Sequence, residues 1–156
     1  MEGARGYRPC VGIMLANREG RIFLGQRADR DEPAWQMPQG GIDPGEDART
    51  AALRELAEET GVTAEMVKVV AQTAEPLRYD FPPELRGAIT KGKWKGQEQT
   101  WFLLRFLGED ADVRLDAHEQ EFSAWRWAAP EEVVPAIVPF KRAVYAQALA
   151  ELEPHL

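Results

Sequence analysis

At 156 residues, 44% hydrophobic and 29% charged, the chain has the length and balance of one folded domain over 1–156, which excludes a disordered tract or a fibrous repeat. A net charge of −7 excludes a broad basic face that tracks nucleic acid, a DNA duplex included, so any phosphate must be gripped locally. One cysteine, Cys10, excludes an intrachain disulfide, and no apolar segment approaches bilayer length, so a cytoplasmic protein that avoids membranes is expected.

Cys10 opens an apolar run that predicts a strand over 9–16 and makes its thiol a small buried hydrophobe. Asn17-Arg18-Glu19-Gly20 reads as a hairpin turn into a second strand over 21–27. The next segment, 28–34, is acidic, and a short strand is expected near 36–38. Residues 47–60, between Pro44-Gly45 and Gly61, have a helical period. Strands over 67–73 and near 77–81 precede a breaker-rich stretch, 82–97, that reads either as a functional loop or as a solvated one. Further strands are predicted over 98–107 and 122–128. A short helix starts at Pro130, and a last helix over 140–152 repeats Phe140, Val144, Ala148 and Leu152 every fourth residue. Strands before, between and after helices predict an α/β (α+β) fold, a mixed sheet with helices packed on it.

The segment from Gly40 to Val62 concentrates charge in an unusual way. On a helix of about 3.6 residues per turn, Glu55, Glu58 and Glu59 share one arc, while Leu53, Leu56 and Ala57 point largely the other way, toward a core. Like charges at this spacing repel, and they lie in the half of the helix where the dipole disfavours anions. A hard divalent cation such as Mg2+ or Mn2+ would compensate, since it prefers carboxylate, carbonyl and water oxygens. Arg54 is placed to pair with Glu58 one turn on, and Gly61 supplies a helix stop. The plainer alternative is a solvated face of glutamates.

Spacing decides between these. The stretch fits Gly-x5-Glu-x7-Arg-Glu-U-x-Glu-Glu-x-Gly-U, with U a bulky aliphatic, at every specified position, and chance would produce this on the order of once in ten million chains. In this it resembles the Nudix hydrolases. The resemblance implies the Nudix fold, a mixed β-sheet sandwiched between α-helices, and metal-dependent attack of water on a phosphoanhydride. It also implies that Glu55, Glu58, Glu59 and the carbonyl of Gly40 bind the metal, and that Glu46 and Arg54 brace the loop and helix.

Flanking residues are similar to one branch of that family, the bacterial RNA pyrophosphohydrolases and their allies that hydrolyse dinucleoside polyphosphates. They are Gly6-Tyr7-Arg8-Pro9, Trp35 to Gly41, Gly96-Gln97 ahead of Trp101, Glu121-Phe122 ahead of Trp125-Arg126-Trp127, and Val138 to Arg142. This implies a substrate that is the 5′ end of an RNA, processed in mRNA decay, or a dinucleoside polyphosphate such as diadenosine tetraphosphate. It makes Glu121 a further metal ligand or base, with Glu58 the favoured general base and Glu121 second. Arg8, Arg27 and Lys141 become candidates for gripping phosphates. Tyr79 and Phe140, with Val138, become candidates for sandwiching the terminal base, although Phe140 equally fits the core-facing start of the last helix. The acids of 28–34 would then lie close to the substrate, opposing its approach or ordering water around a metal. A non-catalytic nucleotide or RNA sensor would be expected to have lost some of the metal-binding glutamates, and all are present.

Overall fold

The computed structural model describes residues 6–85 and 93–156. Its strands are β1 (Tyr7–Ala16), β2 (Ile22–Arg27), β3 (Trp35–Gln36), β4 (Gln39–Gly41), β5 (Val67–Gln72), β6 (Leu77–Asp80), β7 (Gly96–Phe106) and β8 (Phe122–Ala128). The α-helices that matter below are α1 (Ala48–Thr60), α2 (Pro130–Ala136) and α3 (Arg142–Leu152).

The sheet is built around one parallel pair. β1 and β7 run side by side in unbroken register from Tyr7↔Gly96 to Ala16↔Arg105. Each then divides its outer edge between two antiparallel partners. β1 meets β2 at Ala16↔Ile22 and β4 from Cys10↔Gly41 to Gly12↔Gln39. β7 meets β5 at its C-terminal half and β6 from Leu77↔Gln99 to Asp80↔Gly96. β2 also carries β3 and β8, both antiparallel, and the parallel β1–β7 pair among these neighbours makes the sheet mixed.

Alternation along the central pair sends side chains to two cores. Val11, Ile13 and Leu15 of β1, with Phe102 and Leu104 of β7, pack against Ala51, Ala52 and Leu56 of α1. Met14, Trp101 and Leu103 face the other way, against Val133 of α2 and Val144, Tyr145 and Ala148 of α3. The expected sandwich of a mixed sheet between helices is therefore present. Because both faces are covered, the strand at 10–16 is a continuous apolar run rather than an alternating one.

Local chemistry sets the boundaries. At the hairpin, Asn17 Oδ1 accepts from the backbone N–H groups of Glu19 and Arg21 at 3.0 and 2.9 Å, and Gly20 supplies a φ of 78°. Asp47 caps α1 by accepting from Thr50 N–H at 2.7 Å, and Gly61 ends it in the left-handed region at φ 75°.

The structure corrects several expected bounds. The last helix begins at Arg142, because Pro139–Lys141 forms a separate 3-10 turn that places Phe140 outside the helical stripe. β7 starts two residues early, at Gly96, where it pairs with Asp80. Leu56 is fully buried, but Leu53 and Ala57 are half-buried, since Ala51, Ala52, Glu59 and Thr60 take the rest of the inward face. The short strand expected near 36–38 lies at Trp35–Gln36, Gln39–Gly41 adds a strand that was not predicted, and part of the stretch 82–97 lies outside the described residues. No helix among those described is long and apolar enough to cross a membrane.

Gly12 carries a packing constraint. A Cβ there would lie 2.5 Å from the Trp101 indole, which is fully buried and backed edge-on by Tyr145 at 5.2 Å between centroids. Gly12→Ala is therefore expected to cost about 1–3 kcal/mol, read as a lower urea midpoint at unchanged slope.

Candidate active site

Arg54 organises the entry to α1. Its guanidinium donates to both carboxylate oxygens of Glu46 at 2.9 Å each, to the Gly41 carbonyl at 2.9 Å and to Glu55 at 3.1 Å. Glu46 also accepts from Asp43 N–H at 2.9 Å, which closes the loop onto itself. These bonds hold the Glu46 carboxyl down to about 2, with Arg54 the main cause and the Asp43 amide next. The expected pair with Glu58 is present but longer, at 3.6 Å. Arg54 is thus a four-way clamp between the loop and the acidic helix.

The clamp faces a crowded pair of carboxyls. A Cβ on Gly40 would overlap the Glu55 carboxylate, so glycine is what admits that side chain against the 40–41 peptide. Glu59, which helical spacing placed on the same arc, is 5% exposed and accepts from Gln39 N–H at 3.3 Å. Burial pushes its carboxyl well above the ordinary range, and contact with Glu55 and the charge of Glu121 push the same way. Glu55 is also raised, by burial first and by Glu58, against the opposing pull of Arg54. Side by side, the two carboxyls disfavour joint ionisation unless another charge compensates.

A divalent metal fits this donor set chemically: the groups are hard oxygens, and the buried pair is what a cation would relieve. Among the described residues, however, no three His, Cys, Asp or Glu side chains are already gathered in a cage. Glu58 points toward Arg54 with its side chain 36% exposed, and Glu121 is exposed at the start of β8. Glu121 is anchored through its carbonyl, which accepts from Ala28 N–H at 2.8 Å.

A groove leads away from these acids. Its first part, about 160 Å³, is lined by Glu121, Gln120, Gln39, Gln36, Arg27 and Asp29. The second, about 470 Å³, shares Arg27, Asp29 and Gln39 and adds Arg30, Lys141 and the rings of Tyr79 and Phe140. Val138 lines a crevice beside Lys141 and Phe140. Tyr79 and Phe140 touch, with centroids 6.0 Å apart and planes at 44°, so a base stacked between them requires the rings to part. Arg8 lies exposed over Gly41, beside the groove. Lys141 is 9% exposed, and its ammonium is pushed down to about 8 by burial and then by Arg27 and Arg30. A separate hollow of about 330 Å³ at the far end sets Glu19, Glu109 and Asp110 against Arg18 and would repel polyphosphate.

Sequence reading missed a line of buried amides. Trp101 Nε1–H donates to Gln99 Oε1 at 3.0 Å, and Gln99 Nε2 donates to Gln97 Oε1 at 2.9 Å. An indole N–H can only donate, so it fixes the direction of the whole line and leaves the Gln97 amino group to the groove. The period-two spacing of 97, 99 and 101 was the available signal. Of the segment 28–34, expected to lie close to the substrate, Asp29 and Arg30 line the groove.

The sheet between helices, with its glycine-seated acidic helix, is the arrangement of the NUDIX family, and the chain belongs to it: the NUDIX domain matches residues 6–148. Among its relatives, the RNA pyrophosphohydrolase of Cereibacter sphaeroides is 59% identical over 154 residues, covering 99% of this chain and 95% of that protein. The RNA pyrophosphohydrolase of Novosphingobium aromaticivorans is 58% identical over 147 residues, covering 93% and 91%. In fold the chain is similar to a C. elegans Ap4A hydrolase in a binary complex, at TM-score 0.67, 23% identity and coverage of 94% and 98%. It is likewise similar to the E. coli dihydroneopterin triphosphate pyrophosphohydrolase, at TM-score 0.71, 20% identity and coverage of 94% and 99%.

Replacing the fork of Arg54 by a single ammonium tests the clamp. Arg54→Lys cannot bond both oxygens of Glu46 and the Gly41 carbonyl together, so a loss of about 1–3 kcal/mol is expected, measured by thermal unfolding. Unchanged stability would show that the loop is held otherwise.

Proposed function

We propose that this chain is a cytoplasmic, single-domain RNA 5′-end pyrophosphohydrolase that converts 5′-triphosphate or 5′-diphosphate ends to 5′-monophosphates, releasing pyrophosphate or phosphate. The observation that carries the proposal is one groove that passes from acids, through cations, to aromatic rings. That order suits a reacting phosphate, a polyphosphate and a terminal base. The near full-length relatives named RNA pyrophosphohydrolase support RNA as the main substrate. The likeness to an Ap4A hydrolase is one of fold, and dinucleoside polyphosphates are the second reading.

Glu55, Glu58, Glu59, Glu121 and the Gly40 carbonyl would hold Mg2+ or Mn2+. When bound, such a cation neutralises phosphate oxygens and lowers the pKa of water. Glu58 accepts the proton of the attacking water, because it is the most solvent-accessible of the three helix acids, whereas Glu55 and Glu59 are committed to each other. Glu121, across the groove, stands second for that role. The water oxygen bonds to phosphorus as the bond to the bridging oxygen breaks, and the freed phosphate or pyrophosphate carries away the electron pair. Arg8, Arg27 and Lys141 hold phosphate oxygens through charge-assisted hydrogen bonds. Tyr79, Phe140 and Val138 receive the terminal base, and stacking accepts any base.

Triphosphorylated RNA is expected to release pyrophosphate or phosphate with Mg2+ and none with EDTA, at a higher kcat/KM than diadenosine tetraphosphate. The reverse order would make the dinucleotide the principal substrate, and no release from either would leave a sensor. At saturating Mg2+, Glu58→Gln should lose on the order of 10²-fold in turnover and Glu121→Gln less; near-normal turnover for Glu58→Gln would transfer the role.

Lys141 makes the phosphate grip pH-dependent. Its folded value, about 8, lies below the ordinary 10.5, so the unfolded chain holds the extra proton between them. Stability of the ligand-free protein should therefore rise with pH across that window. Affinity for inorganic tripolyphosphate should fall over the same window, as the ammonium that would meet it is neutralised. Calorimetry on the wild type and Lys141→Arg checks this, the variant being expected to lose the inflection near 8.

A further inference from the structure

Arg27 lines both parts of the groove, yet its fork is already filled. Nε and Nη2 donate to the two carboxylate oxygens of Asp29 at 2.9 and 2.6 Å. This is the bidentate geometry in which a guanidinium takes a phosphate. Arg30 is similarly engaged by Glu32 at 2.9 Å, and the buried Lys141 lines the same cavity. Three cations converging on one cavity need anions, and the turn after β2 supplies them.

The two partners are not equally fixed. The backbone around Arg27 is pinned, with its own N–H donating to Ala34 at 3.0 Å and the next N–H to Glu121 at 2.8 Å. The Asp29 side chain is 62% exposed, against 36% for Arg27. Asp29 can thus rotate into solvent while Arg27 stays on the groove wall. An exposed pair of this kind is worth little by itself, so a more highly charged ligand displaces it readily.

We propose that Asp29 is an internal stand-in for phosphate on Arg27, competed off by the polyphosphate end of the substrate, and that it sets how much charge a ligand must bring to hold the groove. A single phosphate gains little by replacing a carboxylate already seated. A tri- or diphosphate gains further contacts to Arg30 and Lys141 from the same displacement. Asp29 therefore lowers the affinity of either ligand by the same factor, which leaves a polyphosphate held by its further contacts and lets the 5′-monophosphate product leave. The inference rests on the reading of this groove as a polyphosphate site.

The test is calorimetric titration of inorganic tripolyphosphate and inorganic phosphate, at low salt in EDTA, into wild type, Asp29→Asn, Arg27→Gln and the double variant. Release from triphosphorylated RNA with Mg2+ is measured alongside. Asp29→Asn should bind tripolyphosphate and phosphate each about three- to tenfold more tightly, since both displace the same carboxylate. The same change in the Arg27→Gln background should give no tightening. Wild type that binds and turns over while Asp29→Asn binds equally or more weakly would overturn the inference alone, leaving Asp29 as a brace for Arg27. Wild type that neither binds tripolyphosphate nor releases phosphate would overturn the reading of the groove and the inference with it.

Discussion

Two carboxyls buried against each other over a glycine peptide are the constraint around which the rest of the site is arranged. Taking ionised carboxylates out of water costs several kcal/mol apiece unless charge or protons return the difference. Here the return comes in pieces: Arg54 reaches Glu55 from one side, and a Gln39 amide reaches Glu59 from the other. Both carboxyls are still raised by burial, which a divalent cation would relieve, since it prefers carboxylate oxygens. The stability of α1 and its chemistry are opposed, and Arg54 with Glu46 is what lets the helix keep both.

The sheet explains why the groove begins there. β1 and β7 each change antiparallel partner partway along, β1 between Gly12 and Ala16 and β7 between Gln99 and Phe102. Where one neighbour departs and another arrives, side chains rather than backbone fill the space. Gln39 of β4 and Gln97 and Gln99 of β7 occupy it, with Trp101 fixing which way the amides of β7 point. A buried polar line this close to a cavity must be fully satisfied or it is costly.

Much of this was legible in the sequence because it is local. The hairpin at Asn17-Gly20, the Asp47 and Gly61 ends of α1 and the spacing of Glu46, Arg54 and Glu55 all follow from neighbours within about one or two helical turns. What was not legible depends on distance or on residue types that carry no pattern. β4 is three residues of Gln and Gly, without alternation to read. Glu59 sits on an arc shared with the half-buried Glu55 and Glu58, and its burial is decided by the sheet beneath it. Phe140 continues a fourfold repeat, yet Pro139 turns the chain as a 3-10 helix and moves the ring to the groove. The hydrogen bonds that join Gln97 and Gln99 to the Trp101 indole appear only when the three side chains are placed on one face of β7.

The acidic total now has a consistent meaning. With a net charge of −7, the body of the protein repels an RNA chain, and attraction is confined to the few cations of one groove. Those cations are themselves partly answered by Asp29 and Glu32, so the field outside the groove is weaker than their number suggests. Affinity then depends on a dense knot of charge that can displace internal carboxylates, which a polyphosphate end has and a single backbone phosphate lacks. The same balance that keeps the enzyme off the length of an RNA directs it to the terminus.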